Sequence, residues 1–142
     1  MDKIFRSMEI SATALTAERQ RLDLIANNLA NANTTRTNEG GPYRRLYPVF
    51  AEKLNKVAAF PYHKSTGAGV QIVEIVKDDS PFKLIYNPGH PDANEEGYVA
   101  MPNVDIIREM VDMVSAMRAY EANVTVLQSS KEMVLKSLDI AR

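Results

Sequence analysis

Asp92-Ala93-Asn94-Glu95-Glu96-Gly97 imitates the first half of a calcium-binding loop, with side-chain oxygens at its first, third and fifth positions and glycine at the sixth. Coordination would need a bidentate glutamate at the twelfth position, where Asn103 stands behind Pro102, so the stretch reads as a turn. Glu95 and Glu96 are adjacent and cannot flank one scissile bond from opposed faces, which argues against a glycan-cleaving hydrolase. His63 and His90 sit in proline- and turn-rich stretches without a carboxylate at ligand spacing. Ser129 and Ser130 have no histidine in helical register, and Thr66-Gly67-Ala68-Gly69 lacks the continuation of a phosphate-binding fingerprint. The chain has no cysteine, which excludes disulfides, thiolate metal sites and cysteine nucleophiles. The expected reading is therefore no enzyme, with no catalytic residue, cofactor or metal.

Amide chemistry is what the sequence concentrates. Asn27, Asn28, Asn31 and Asn33 place four asparagines in seven residues, although asparagine is a poor interior helix former. Asn27 and Asn31 are four apart and share a helical face, where each amide can both donate and accept. A polar C-terminal cap would explain Asn33 but not all four, so a specific interaction is expected here.

The elements that must carry these groups are two long helices. Residues 3–32 contain neither proline nor glycine, and Met8, Leu15, Leu22 and Leu29 recur every seven residues, the narrow stripe of a helix-to-helix seam. Near the other end, Ile106, Met110, Met113, Met117, Tyr120, Val124, Leu127, Val134 and Leu138 alternate steps of four and three, interrupted only by Lys131. Pro102-Asn103 supplies the start signal and Asp105 and Glu109 suit the positive end of the helix dipole. A helix from 103 to 140 would be roughly 57 Å long at 1.5 Å per residue, and the first helix is its natural coiled-coil partner. On this reading Met110, Met113 and Met117 form a methionine-rich heptad core.

Residues 37–101 hold all six glycines and six of the seven prolines, which marks the boundaries by composition alone. Gly69 to Val76 is rich in β-branched residues and Phe82 to Tyr86 alternates, so a hairpin is expected across Asp78-Asp79-Ser80-Pro81, with Gly97 to Met101 as a third short strand. The predicted organisation is an amino-terminal helix in residues 1–36, a β-rich middle in 37–101 and a carboxy-terminal helix in 102–142. The fold class is mainly α with a small β insertion.

Charge excludes further classes. Lysine and arginine number 17 against 18 aspartates and glutamates, for a net charge of -1, which argues against a nucleic-acid binder. Arg44-Arg45, the one basic cluster, reads as a solvated loop. No apolar run approaches the roughly 20 residues of a membrane span, and the first residues lack the uninterrupted apolar core of a secretory signal. If the protein leaves the cytoplasm, another route is implied.

The segment Asn28-Leu29-Ala30-Asn31 resembles the signature that closes the amino-terminal helix of flagellar rod and hook proteins. Glu96-Gly97-Tyr98-Val99-Ala100-Met101-Pro102-Asn103-Val104, Glu109-Met110-Val111-Asp112-Met113 and Arg118-Ala119-Tyr120-Glu121-Ala122-Asn123 extend the resemblance, together with the short length, to the proximal-rod members. The resemblance implies a structural subunit of the basal-body rod, built into the shaft that crosses the periplasm, transmits torque and encloses the export channel. It implies other rod proteins and copies of the same chain as partners. It also implies passage through the flagellar type III export apparatus without a cleaved signal, and no membrane insertion. Assembly would run through the helical seams and the asparagine-rich helix end. A cytosolic coiled-coil adaptor or export chaperone is the alternative; it would share the helices but gives no reason for the asparagines or the β insertion.

Overall fold

The computed structural model describes residues 2–54 and 67–140. Helix α1 spans Asp2–Ala30; strands β1 (Leu46–Leu54), β2 (Gly67–Lys77), β3 (Lys83–Tyr86) and β4 (Tyr98–Met101) follow; helix α2 spans Ile106–Ile140. The expected class holds, two long terminal helices around a small β-rich middle. His63 and Thr66 lie outside the described residues.

Each helix ends where a side chain takes over from the backbone ladder. At the end of α1 the Asn31 amide donates to the Asn27 carbonyl at 2.9 Å, and the Thr34 hydroxyl donates to Asn31 Oδ1 at 3.2 Å. The Asn27 carbonyl, which already accepts from the Asn31 backbone amide at 3.1 Å, thereby takes a second donor, and the Asn31 side chain is held in place by Thr34. The second helix begins at Ile106, three residues later than the Pro102-Asn103 signal suggests. Asp105 is the cap: its Oδ1 accepts from the Ile107 and Arg108 amides at 3.1 and 3.3 Å. The hydrogen bond from Arg108 is the main reason its carboxyl lies below the usual range.

Strand pairing departs from expectation. The strand from Gly67 does not form a hairpin with the strand from Lys83: β2 pairs with β1, and β3 pairs antiparallel with β4, Leu84 opposite Ala100 and Tyr86 opposite Tyr98. The segment between β2 and β3 is tethered elsewhere, because Asn103 Nδ2 donates to the carbonyls of Asp78 and Ser80 at 2.9 and 3.2 Å. Strand β1 carries no clear sequence signal because Pro48 interrupts it. Tyr86 and Tyr98 meet edge to face with centroids 5.4 Å apart. Their closeness needs Gly97, whose φ is +81° and where a Cβ would lie 2.9 Å from Tyr86 Cε2.

The described chain falls into two compact units. In one (Met1–Gln20, Val49–Glu74 and Ser115–Arg142), the buried residues are small: Ser11, Ala17, Ala68, Ala116 and Ser130. The start of β2 lies against α1 there, with the Val70 amide donating to Thr13 Oγ1 at 3.2 Å and Arg6 donating to the Gly67 carbonyl at 3.1 Å. Gly69 has φ +117°, and a Cβ on it would fall 2.0 Å from Thr13 Oγ1. Gly69→Ala is expected to destabilise the chain by more than about 1 kcal/mol, read as a lowered urea midpoint, since strain and clash add. An unchanged midpoint would show that the β2 start does not hold this approach.

The other unit, Arg21–Pro48 with Ile75–Val114, buries Leu24, Ile25, Ala32, Val99 and Val104 around two polar residues, Asn28 and Glu109. Apolar periodicity does not lead to the inward row of α2. That row is Glu109, Ala116, Asn123, Ser130 and Ser137, seven apart, beside Met113, Tyr120, Leu127 and Val134. Ile106, Met110, Met117 and Leu138, expected in the seam, are 44%, 54%, 47% and 51% exposed. The methionine core of the sequence reading is therefore only Met113. Small and polar residues are the most buried on α2, Met113, Tyr120, Leu127 and Val134 are half-buried, and Ile106, Met110, Met117 and Leu138 are exposed.

Candidate functional site

The most constrained chemistry in the described chain is a polar knot in the second unit. Asn28 sits in the last turn of α1 and is 1% exposed; Glu109 sits in the first turn of α2 and is fully buried. The Asn28 side chain is saturated. Its Oδ1 accepts from the Leu46 amide at 2.9 Å and the Tyr43 hydroxyl at 3.0 Å, and its Nδ2 donates to the Leu46 carbonyl at 2.8 Å and to Glu109 Oε2 at 3.1 Å. Pairing with both backbone groups of Leu46, the amide acts as a strand neighbour for the first residue of β1.

Glu109 takes its charge balance from Arg45, whose Nε donates to Oε1 at 2.5 Å. The same guanidinium stands 3.6 Å from Asp112 and 3.9 Å from Asp78, and Arg21 reaches Asp112 at 3.9 Å. The Arg45 amide donates to Asn103 Oδ1 at 2.9 Å. One fork thus serves a buried carboxylate and two more at the rim, the use for which arginine is better shaped than lysine. The basic cluster read as a solvated loop is corrected here: Arg45 is a half-buried counter-ion of the buried Glu109, and Arg44 lies 4.4 Å over the Phe82 ring while donating to the Asp78 carbonyl.

Burial, reinforced by the Glu109 charge, pushes the Tyr43 hydroxyl above its ordinary value of 10.0. A raised value favours the neutral phenol in the folded chain, so this contribution is complete below pH 10 and is lost as pH rises through the folded value. Tyr43→Phe is expected to flatten the loss of stability that sets in as pH rises above 10 in urea titrations, because the ionising group is gone. An alkaline limb unchanged in the variant would remove Tyr43 from the knot.

The arrangement is saturated with hydrogen bonds. Both Glu109 oxygens are occupied and Asn28 has no donor or acceptor left over. The calcium-like stretch is a turn, as read: Asp92 accepts from the Thr35 hydroxyl at 2.9 Å and from Arg36 at 2.8 Å, and Asn94 Oδ1 accepts from the amides of Glu96 and Tyr98. His90 Nδ1 accepts from the Asp92 amide at 3.1 Å. Among the described residues no group of three histidines, cysteines or carboxylates could hold a metal ion. No described helix is long and apolar enough to cross a membrane.

The structure separates the expected assembly residues into two sets. Met8, Leu15, Leu22, Leu29, Met113, Tyr120, Val124, Leu127 and Val134 are half-buried within the chain. Ile106, Met110, Met117 and Leu138 face outward, as does Asn27. Asn28 and Asn31 both make hydrogen bonds within the chain, Asn31 to a carbonyl of the last helical turn. Tyr43 joins the knot without a sequence signal, while Arg45, Asn103 and Glu109 stand out in the sequence only as a loop cation, a helix start and a charge at the helix dipole.

Known proteins resemble this chain in sequence. Residues 8–36 match the family model of the flagella basal body rod protein, and residues 95–140 match that of the flagellar basal body rod FlgEFG protein C-terminal. The flagellar basal-body rod protein FlgC of Borreliella burgdorferi is 47% identical, with 96% of this chain and 97% of the relative aligned. The chain belongs to the FlgC family of flagellar basal-body rod proteins. The FlgC of Bacillus subtilis is 44% identical over 97% of this chain and 98% of its own length, and that of Salmonella typhimurium 42% over 94% and 95%. Membership in the FlgC family makes the chain a structural component of the basal-body rod and leaves the adaptor reading without support. The two matched segments coincide with α1 and its capped end and with β4 and α2, so the knot draws Asn28 from one and Asn103 and Glu109 from the other.

Proposed function

We propose that this rod protein polymerises through the outward face of its carboxy-terminal helix, packing against copies of itself and other rod proteins. The observation that carries this reading is the exposure of α2: Ile107 is 76% exposed, Val111 64%, Val114 50% and Ile140 87%, alongside Met110, Met117, Val126, Met133, Leu135 and Leu138. A helix apolar on its outer side as well as its inner side belongs in the interior of something larger. The outer side of α1 beyond Ile10 is polar or small by contrast, with Thr16, Arg19, Gln20, Asp23 and Asn27. An apolar face meeting a different surface on the next subunit gives a contact that does not close on itself, and such contacts generate helical shafts.

On this reading the chain is no enzyme and needs no cofactor. It stands in the rod across the periplasm, transmits torque and lines the export channel, having travelled through the flagellar type III export apparatus without a cleaved signal. The test is to delete the gene in its host, restore a tagged copy, score motility and image purified basal bodies. The expected result is loss of rod and filament on deletion, with the tagged protein in the proximal rod on restoration. Intact flagella in the deletion strain would overturn the reading. Mass spectrometry of rod-derived protein should also return the residues of α1 uncut; removal of an amino-terminal peptide would contradict the export route.

A further inference from the structure

The knot joins three parts of the chain that meet only when both helices are in place. Asn28 and Glu109 are 81 residues apart in sequence, and Leu46 lies 18 residues beyond Asn28. The backbone pair of Leu46 is satisfied by a side chain of α1, whose orientation is in turn set by a carboxylate of α2. We propose that Asn28 is the positioning residue of a latch through which the closed helix pair sets the start of β1. The asparagine-rich helix end then works inward, fixing where the β-rich middle segment departs from the helices, and Asn27 and Asn33 are the members left exposed.

The chemistry is specific to an amide. Asn28 must accept two hydrogen bonds on one side and donate two on the other, which only asparagine does at that length. Aspartate would keep the acceptor side but turn its second oxygen toward the Leu46 carbonyl and the Glu109 carboxylate, two acceptors with no proton between them. Glutamine at 109 would restore a donor across that contact. A merely space-filling role for Asn28 has no reason to respond to a change at 109 in this direction, and isosteric aspartate would serve it better than alanine, the opposite of the order a latch requires.

The test is hydrogen exchange on the purified full-length chain, following the Leu46 amide, which donates to Asn28 Oδ1, against interior amides of α2. Asn28→Ala is expected to speed exchange at Leu46 by at least about tenfold while the α2 amides from 116 to 130 keep their protection. Asn28→Asp should be faster still, and Asn28→Asp combined with Glu109→Gln should recover protection at Leu46 relative to Asn28→Asp alone. Unchanged protection at Leu46 in Asn28→Ala would overturn the latch. So would a double variant no better than Asn28→Asp. If Asn28→Ala unfolds the whole chain, the comparison of Asn28→Asp with the double variant decides: recovery supports the latch and no recovery rejects it.

Discussion

Met117→Asp or Val114→Asp is expected to abolish swimming and incorporation into basal bodies while leaving the helix content and urea midpoint of the purified chain within experimental error. Both positions are about half exposed, so a carboxylate there meets water in the free chain. In a packed rod the same carboxylate would be buried without a partner, which costs several kcal/mol per site and multiplies over the copies of a repeating assembly. Motility scoring with electron microscopy of basal bodies reads the effect, and circular dichroism supplies the control. Gln20→Asp, on the exposed polar side of α1, should swim normally. Normal swimming of both α2 variants would mean that the outer face of α2 is solvent-facing in the rod as well.

Arg45→Met is expected to destabilise the chain by about 3–5 kcal/mol, the usual consequence of removing one partner from a buried ion pair. The size follows from Glu109, which is fully buried and holds Arg45 Nε at 2.5 Å. Arg45→Lys should recover little, because one ammonium cannot meet Glu109, Asp112 and Asp78 together as the fork does. Arg45→Met combined with Glu109→Leu should be much less damaging than Arg45→Met alone, since the stranded charge is gone. Urea unfolding of the four chains reads all of this in one series. A loss below about 1 kcal/mol in Arg45→Met would show that Glu109 finds water or another cation, and the knot would cease to explain the geometry around Leu46.

Both helices were legible from sequence, because a long stretch free of proline and glycine with seven-residue spacing has few alternatives to helix. The faces were harder. Periodicity finds the apolar rows of α2, but it has no means of telling a row buried by this chain from one reserved for a neighbour. Met110 and Met117 therefore read as seam, although the buried positions of the helix include Ala116 and Ser130, which carry little hydrophobic signal. Strand β1 stayed hidden behind Pro48. The hairpin expected between the second and third strands failed because Asn103 holds the carbonyls of Asp78 and Ser80, a tether that no local pattern reveals. The asparagine cluster was legible as unusual for a helix end. Its role was not, since the partners of Asn28 at Tyr43, Leu46 and Glu109 are distant in sequence and two of those contacts are with backbone. Arg45 was misread for a related reason: a pair of arginines in a loop carries no sign of the three carboxylates that the fold brings to one of them.

The outward face of α2 is the centre of this account, and the missing cysteine makes it directly accessible to experiment. A single cysteine at Val114, and separately at Val126, gives a chain with one thiol, which can carry a short photo-crosslinker into purified basal bodies. The account predicts adducts at both positions with the same chain or another rod protein, and markedly fewer from a cysteine at Gln20. Efficient crosslinking from Gln20 with none from Val114 or Val126 would contradict it and move the assembly surface to α1.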